Sequence, residues 1–316
     1  MPTYNYGRFI ATAIRSILIH GVPDIEVIVL DGGSTDDTAR VVAEIAAAHP
    51  NVKYFHQTDR GGIDADLARS VDLATGHYCW LLSADDALRD GALDRMLREI
   101  ERGFDVLLCN RVWCDADLRP MRRERWLAGD RGDREVNLAN RDEVAGYLAD
   151  SRSLGALFSF MSCIAFRRAA WEQSSNLPSL AGTHYAHVAR LFAIGSRGGR
   201  FRYVADPLVL CRGGADSFRA GGLASRLLID LQGYHAIAAS LFPGDENLRR
   251  AVKSVVRKEH PWRRWVRARS ETSDVGQWKR VEALLEEFGY ASAGVHLIEP
   301  AGRMLRRLVP GQVGAP

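Results

Sequence analysis

The sequence predicts an α/β fold with a mainly parallel sheet, followed by a helical appendage. Short apolar strands alternate with amphipathic helices up to about residue 215. Those strands lack polar alternation, the mark of strands buried on both faces by βαβ crossovers. From Asp216 onward the pattern is helical only. The expected organisation is therefore an α/β domain over residues 1–215 and a helical region over 216–316.

The elements follow in order. Ile25–Asp31 (IEVIVLD) is a β-branched strand that ends in Asp-Gly-Gly. The helix after it has Ser34 or Thr35 as its N-cap and apolar residues at helical spacing. Val52–His56 is the next strand, DLARSVDLA a helix, and YCWLL from Tyr78 the third strand. DGALDRMLREIERG is a helix stopped by Gly103, and FDVLLCN is the fourth strand. Trp113–Leu138 is too polar for a core and long enough for a functional loop. Phe160–Arg168 returns as a strand, His184–Gly195 as an amphipathic helix, and RYVADPLVLCR as a strand pair. No GxGxxG follows the first strand, which weakens a dinucleotide-binding interpretation.

Composition excludes several classes. At 316 residues, with 47% hydrophobic and 26% charged residues, the chain is ordinary for a soluble globular protein. A formal charge of +3 is too small to imply nucleic acid. Five scattered cysteines without CxxC spacing read as reduced thiols of a cytoplasmic protein. No apolar run approaches the roughly 20 residues of a membrane span. The basic stretch Arg249–Arg269, with Trp262 and Trp265 among its arginines, admits three readings: a solvated helix packed by its tryptophans, an interfacial segment on anionic lipid, or a nucleic-acid patch without a recognition module.

Carboxylates collect where strands end. Asp36 and Asp37 read as helix-entry residues stabilised by the macrodipole. Asp31 and Asp85 resist that reading, because each lies directly beyond an apolar strand and before its helix. Ligands of open α/β sheets bind at the carboxyl ends of strands. Close carboxylates there call for a cation, and oxygen ligands suit Mg²⁺ or Mn²⁺.

Four segments in order, PTYN (Pro2–Asn5), VLDGGSTDDT (Val29–Thr38), ATGHYCWLLSADD (Ala74–Asp86) and HYAHVARLFAIG (His184–Gly195), resemble the family 2 glycosyltransferases of GT-A fold. Within that family the chain looks most like bacterial surface-polysaccharide enzymes of the abequosyltransferase type. The resemblance implies an inverting enzyme that moves a sugar from a nucleotide-diphosphate donor to a hydroxyl of a glycan or lipid-linked acceptor. A lipid-linked acceptor fits peripheral contact with an anionic membrane, beside the cytoplasmic location and the absence of nucleic acid expected from composition. By the same resemblance Pro2, Thr3 and Tyr4 lie beside the donor base, Asp31 contacts base or ribose, and Arg60 faces the diphosphate. Ala84 and Asp85 complete the donor side, and Asp85 binds the metal with help from Asp86.

Three departures qualify this carry-over. Ser83 stands at the first position of the metal motif. Relatives place a hydrophobic strand before PTYN, so the first strand is expected to be missing, with a misassigned start codon as the plainest cause. Thr183 and His184 replace an acidic pair. His184 is therefore the candidate base, His187 its competitor on the same helical face, and Asp64 and Asp66 are candidates to orient sugar or acceptor. The alternative that these departures motivate is a catalytically silent nucleotide-sugar-binding protein.

Overall fold

The computed structural model describes residues 1–130, 132–174, 180–214 and 221–290, which form two compact units, Met1–Ala215 and Asp216–Pro316. The first unit opens with β1 (Pro2–Thr3), α1 (Gly7–Leu18), β2 (Val27–Asp31), α2 (Thr38–Ala48) and β3 (Val52–His56). These strands form a three-stranded sheet in the order β1-β2-β3, all parallel. Every residue of β2 is buried, as a β-branched run covered on both faces must be. α1 has no counterpart among the expected elements, although Ile10, Ala13 and Ile14, which it buries, carry the helical spacing. α2 starts later than expected: its N-cap is Asp37, because Ser34 and Thr35 bond to Asn5 instead.

The chain continues with α3 (Ile63–Asp72), β4 (Tyr78–Trp80), β5 (Ala87–Leu88), α4 (Ala92–Glu101), β6 (Val106–Cys114), β7 (Pro120–Glu124), β8 (Arg134–Val136), α5 (Arg141–Asp150), β9 (Ile164–Arg167), α6 (Arg168–Gln173), α7 (Ala186–Ser196) and β10 (Phe201–Cys211). Their strands make a seven-stranded sheet in the order β4-β9-β6-β10-β5, with β7 on β6 and β8 on β10. Mainly parallel pairing, as expected, holds in the first sheet. In this second sheet only β6 and β10 run parallel, and the remaining pairs are antiparallel.

Two local expectations are corrected. The polar segment 113–138 is not one loop, since it completes β6 and contributes β7 and β8. β7 was hidden because it is an exposed edge strand with no apolar face to betray it. RYVADPLVLCR is a single strand rather than a pair. It is irregular around Pro207, which has no N–H to give the ladder.

The second unit contains α8 (Gly222–Leu241), α9 (Glu246–Glu259), α10 (Trp262–Glu271) and α11 (Val275–Glu287). The basic stretch is thus two helices, interrupted at Pro261. Leu231, Tyr234, Val255, Trp265, Val281 and Phe288 fill the core. Within it, buried Asp230 accepts from His260 Nε2 at 2.9 Å and from Arg226. Among the described residues no helix is long and apolar enough to cross a membrane.

Candidate active site

Asp31 ends β2 and is closed off from solvent. Its Oδ1 accepts from Ser34 N at 2.8 Å, and its Oδ2 accepts from the Tyr54 hydroxyl at 2.6 Å. Gly33, in left-handed geometry at φ 82°, lets the chain turn between them, as Gly does without strain. Thr3 O accepts from Gly32 N at 2.9 Å, and the buried Thr3 hydroxyl has no hydrogen-bond partner. Pro2 and Thr3 pair with Leu30 and Asp31, so the start of the chain lines the loop after β2. The Arg60 guanidinium lies 4.3 Å from the Tyr4 ring centroid. Asp66, expected to orient sugar or acceptor, is buried and accepts from Gln57 Nε2 at 3.0 Å and Gly61 N at 3.2 Å, which fixes the loop carrying Arg60.

The two adjacent aspartates beyond β4 part company. The strand itself stops at Trp80, before the expected Leu82. Ala84 is buried beneath the turn. Asp86 Oδ2 accepts from Ser162 Oγ at 2.6 Å and Oδ1 from Arg212 N at 3.0 Å, so both oxygens face the protein. Burial, and then the neighbouring Asp85 charge, push the Asp86 carboxyl up to about 7. Asp85 receives the Ser83 hydroxyl on Oδ1, and its main-chain carbonyl accepts from Arg212 Nε at 2.9 Å. Arg212 also bonds Ala116 O and lies 4.5 Å from the Phe9 ring centroid. Among the described residues, no three His, Cys, Asp or Glu side chains gather as a metal cluster.

A third feature is a cavity of about 490 Å³ between α3 and the start of α7, lined by Ile63, Asp64, Leu67, His184, Ala186 and His187 among others. The two histidines differ. His184 is half-buried at the cavity wall with φ 69°, a left-handed conformation uncommon for a residue with a side chain. His187 is buried, and its Nε2 lies 2.9 Å from Phe158 O, which makes Nε2 the protonated nitrogen. Burial lowers its pKa, which favours the neutral imidazole.

An apolar strand that ends at a turn bearing carboxylates, the loop after β2 and a cavity between two helices give the site its geometry, and comparison with known proteins gives the family. The Glycosyl transferase family 2 profile matches residues 1–172. The chain belongs to glycosyltransferase family 2. It is 32% identical over 270 residues to Abequosyltransferase RfbV of Salmonella typhimurium, covering 83% of this chain and 80% of that one. Its fold is GT-A. Against S. aureus TarS 1-349 in complex with UDP the TM-score is 0.64 at 17% identity, over 100% of this chain and 92% of that one. Against the mannosyltransferase PcManGT from Pyrobaculum calidifontis in complex with GDP-Man and Mn²⁺ it is 0.54 at 17%, over 97% and 85%. The protein is a glycosyltransferase.

Sequence reasoning missed several residues of this site. Tyr54, Ser162 and Arg212 act through partners 23 to 127 positions away, and only Arg212, a charge closing the apolar run LVLC, carried a local signal.

Proposed function

We propose that the protein is an inverting glycosyltransferase of surface-polysaccharide synthesis, transferring a hexosyl or deoxyhexosyl group from a nucleotide-diphosphate donor to a hydroxyl of a glycan or polyprenyl-linked acceptor. The observation that carries this is the likeness to an abequosyltransferase over four-fifths of both chains, joined to the Asp85 turn. Pro2, Thr3, Tyr4 and Asp31 form the nucleotide wall, Arg60 faces the diphosphate, and Ala84 and Asp85 close the far side. An Arg guanidinium suits phosphate oxygens.

The donor set fits a divalent cation of modest demand. Mg²⁺ and Mn²⁺ accept one carboxylate, with substrate phosphates and water completing the shell. Asp85 would hold it with the Ser83 hydroxyl alongside, and Asp86 braces the turn rather than joining the shell. When bound, the ion neutralises charge on the departing diphosphate. His184 accepts the proton of the acceptor hydroxyl. The hydroxyl oxygen forms its bond to the anomeric carbon as the bond to the diphosphate oxygen breaks, and the diphosphate leaves with the electron pair. His187 is a packing residue whose ring orients the start of α7.

The protein acts in the cytoplasm, where its buried free thiols stay reduced, at the inner face of the membrane. The test is turnover of UDP-, GDP-, CDP- and dTDP-sugars with glycan acceptors, followed by NMR of the product linkage. An anomeric configuration opposite to the donor's is expected. Retained configuration, or no transfer from any of these donors, overturns the reading.

A further inference from the structure

α7 begins with a helix end that its own residues leave largely uncapped. The first N–H groups of a helix lack intrahelical partners, and an Asp, Ser, Thr or Asn at the N-cap ordinarily takes one. Here the N-cap is Tyr185, whose side chain makes no capping bond. Thr183 Oγ1 accepts Tyr185 N at 3.2 Å. The other two bonds come from a different helix: Asp64 Oδ2 accepts His184 N at 3.0 Å, and Asp64 Oδ1 accepts Ala186 N at 3.1 Å. Asp64 is in the first turn of α3. One carboxylate therefore sits at the positive ends of two helices at once, where negative charge is favoured.

The residue held between those two bonds is His184, in the left-handed conformation at φ 69°. A side-chain-bearing residue stays there only when its surroundings insist. Thr183 adds to the insistence, because its hydroxyl is tied to Leu180 O at 2.7 Å.

We propose that Asp64 is a positioning residue for sugar transfer: its carboxylate clamps the His184 backbone, and the clamp keeps the His184 imidazole at the cavity wall. This rests on the reading of His184 as the base. A direct contact between Asp64 and the sugar is the competing role, and the geometry disfavours it because each carboxylate oxygen already faces a backbone N–H. Loss of the clamp lets residues 183–186 relax out of the left-handed geometry and carries the imidazole with them. A misplacement of about 1 Å at a reacting group can cost roughly 10²-fold in rate.

The experiment compares wild type, Asp64→Asn, His184→Ala and the double variant, with the nucleotide sugar that wild type turns over. Asparagine keeps the size but turns an N–H toward one of the two backbone donors. Expected for Asp64→Asn are a kcat lower by about 10- to 100-fold, an unchanged donor KM, unchanged thermal stabilisation by UDP, and faster amide exchange at His184 and Ala186. The double variant should be no slower than His184→Ala alone, because both changes act on one group. Asp64→Ser, which keeps one acceptor, reads the same quantities if Asp64→Asn does not fold. Unchanged exchange at both amides, a raised donor KM with kcat intact, or multiplicative losses in the double variant would overturn the proposal. Near-wild-type transfer by His184→Ala defeats the base reading and with it the positioning role of Asp64 through His184. Unchanged exchange beside an inactive His184→Ala defeats the clamp alone.

Discussion

Ser162 donates a 2.6 Å hydrogen bond to Asp86 Oδ2 while its oxygen accepts from Ser83 N at 3.0 Å. That single hydroxyl separates two adjacent aspartates: Asp86 secures the turn, and Asp85 is left for the donor role proposed above. Removing Ser162's hydroxyl exposes a buried carboxylate to an unmet need, so Ser162→Ala should lower stability by about 1–3 kcal/mol. Asp85→Asn should instead keep its melting temperature and lose the Mn²⁺-dependent stabilisation by nucleoside diphosphate. Equal Mn²⁺-dependent stabilisation in wild type and Asp85→Asn would remove Asp85 from the site.

Arg212 ties the end of β10 to the same turn, through its backbone N–H to Asp86 and its Nε to Asp85 O. Arg212→Lys keeps the backbone bond and the charge but loses the planar fork that reaches two carbonyls. The donor KM should rise and the fold should survive. A variant with wild-type donor KM would show that the backbone bond alone suffices.

The buried parts were the legible ones. Ile25–Asp31 differs from the observed strand only at its start, because an apolar β-branched run leaves few alternatives, and Val52–His56 reads as a strand to the residue although only Val52 of it is buried. β7 escaped because an edge strand of arginines looks like a loop, and the bend of β10 at Pro207 looked like a turn between two strands. The carboxylates were legible as a set, but their hydrogen-bond partners were not. Asp64, Asp66 and Asp86 each hold backbone or side-chain partners brought close by tertiary contacts, and sequence spacing carries no trace of those contacts.

Acid should find one weak joint at Glu26. Burial opposes its charge, yet hydrogen bonds from Lys53, Thr75 and Gly76 outweigh that and bring its carboxyl down from 4.5 to about 2. The folded value lies below the unfolded one, so the stabilisation is present above about pH 4.5 and is lost as pH falls toward about 2. Glu26→Gln should melt lower at neutral pH and show a shallower decline through that window. Parallel melting curves for the two proteins across it would refute the assignment.

For the second unit, vesicle binding separates the readings of its basic helix. Trp265 is fully buried, whereas Trp262 is 62% exposed with Arg263 5.8 Å from its ring. Arg264 pairs with Glu259, Arg267 with Glu271, and Arg269 lies over Trp278. Sedimentation with anionic vesicles should therefore drop for Trp262→Ala and Arg263→Gln and change little for Arg267→Gln, since a basic residue near such a surface contributes about 1 kcal/mol when its charge is not already matched. Wild-type protein that ignores the vesicles at low salt would leave the helix a structural one.

Tyr54 supplies the sharpest test of the nucleotide wall. Its hydroxyl is one of two donors to the solvent-closed Asp31 carboxylate, the other being Ser34 N in the loop after β2. Burial and then Asp31 itself push the Tyr54 hydroxyl upward, so it remains a protonated donor through the physiological range. Tyr54→Phe leaves a buried charge one bond short, at a cost of about 1–3 kcal/mol, and frees Asp31 to turn. The expected result is a lower melting temperature together with weaker binding of the nucleoside diphosphate that stabilises wild type. His56→Gln is the control, because His56 is half-exposed and lies 3.9 Å from Asp31, beyond hydrogen-bond reach. A variant that melts lower yet binds every nucleoside diphosphate as wild type does would confine Asp31 to holding the loop, and the nucleotide wall would then rest on Thr3, Tyr4 and Arg60.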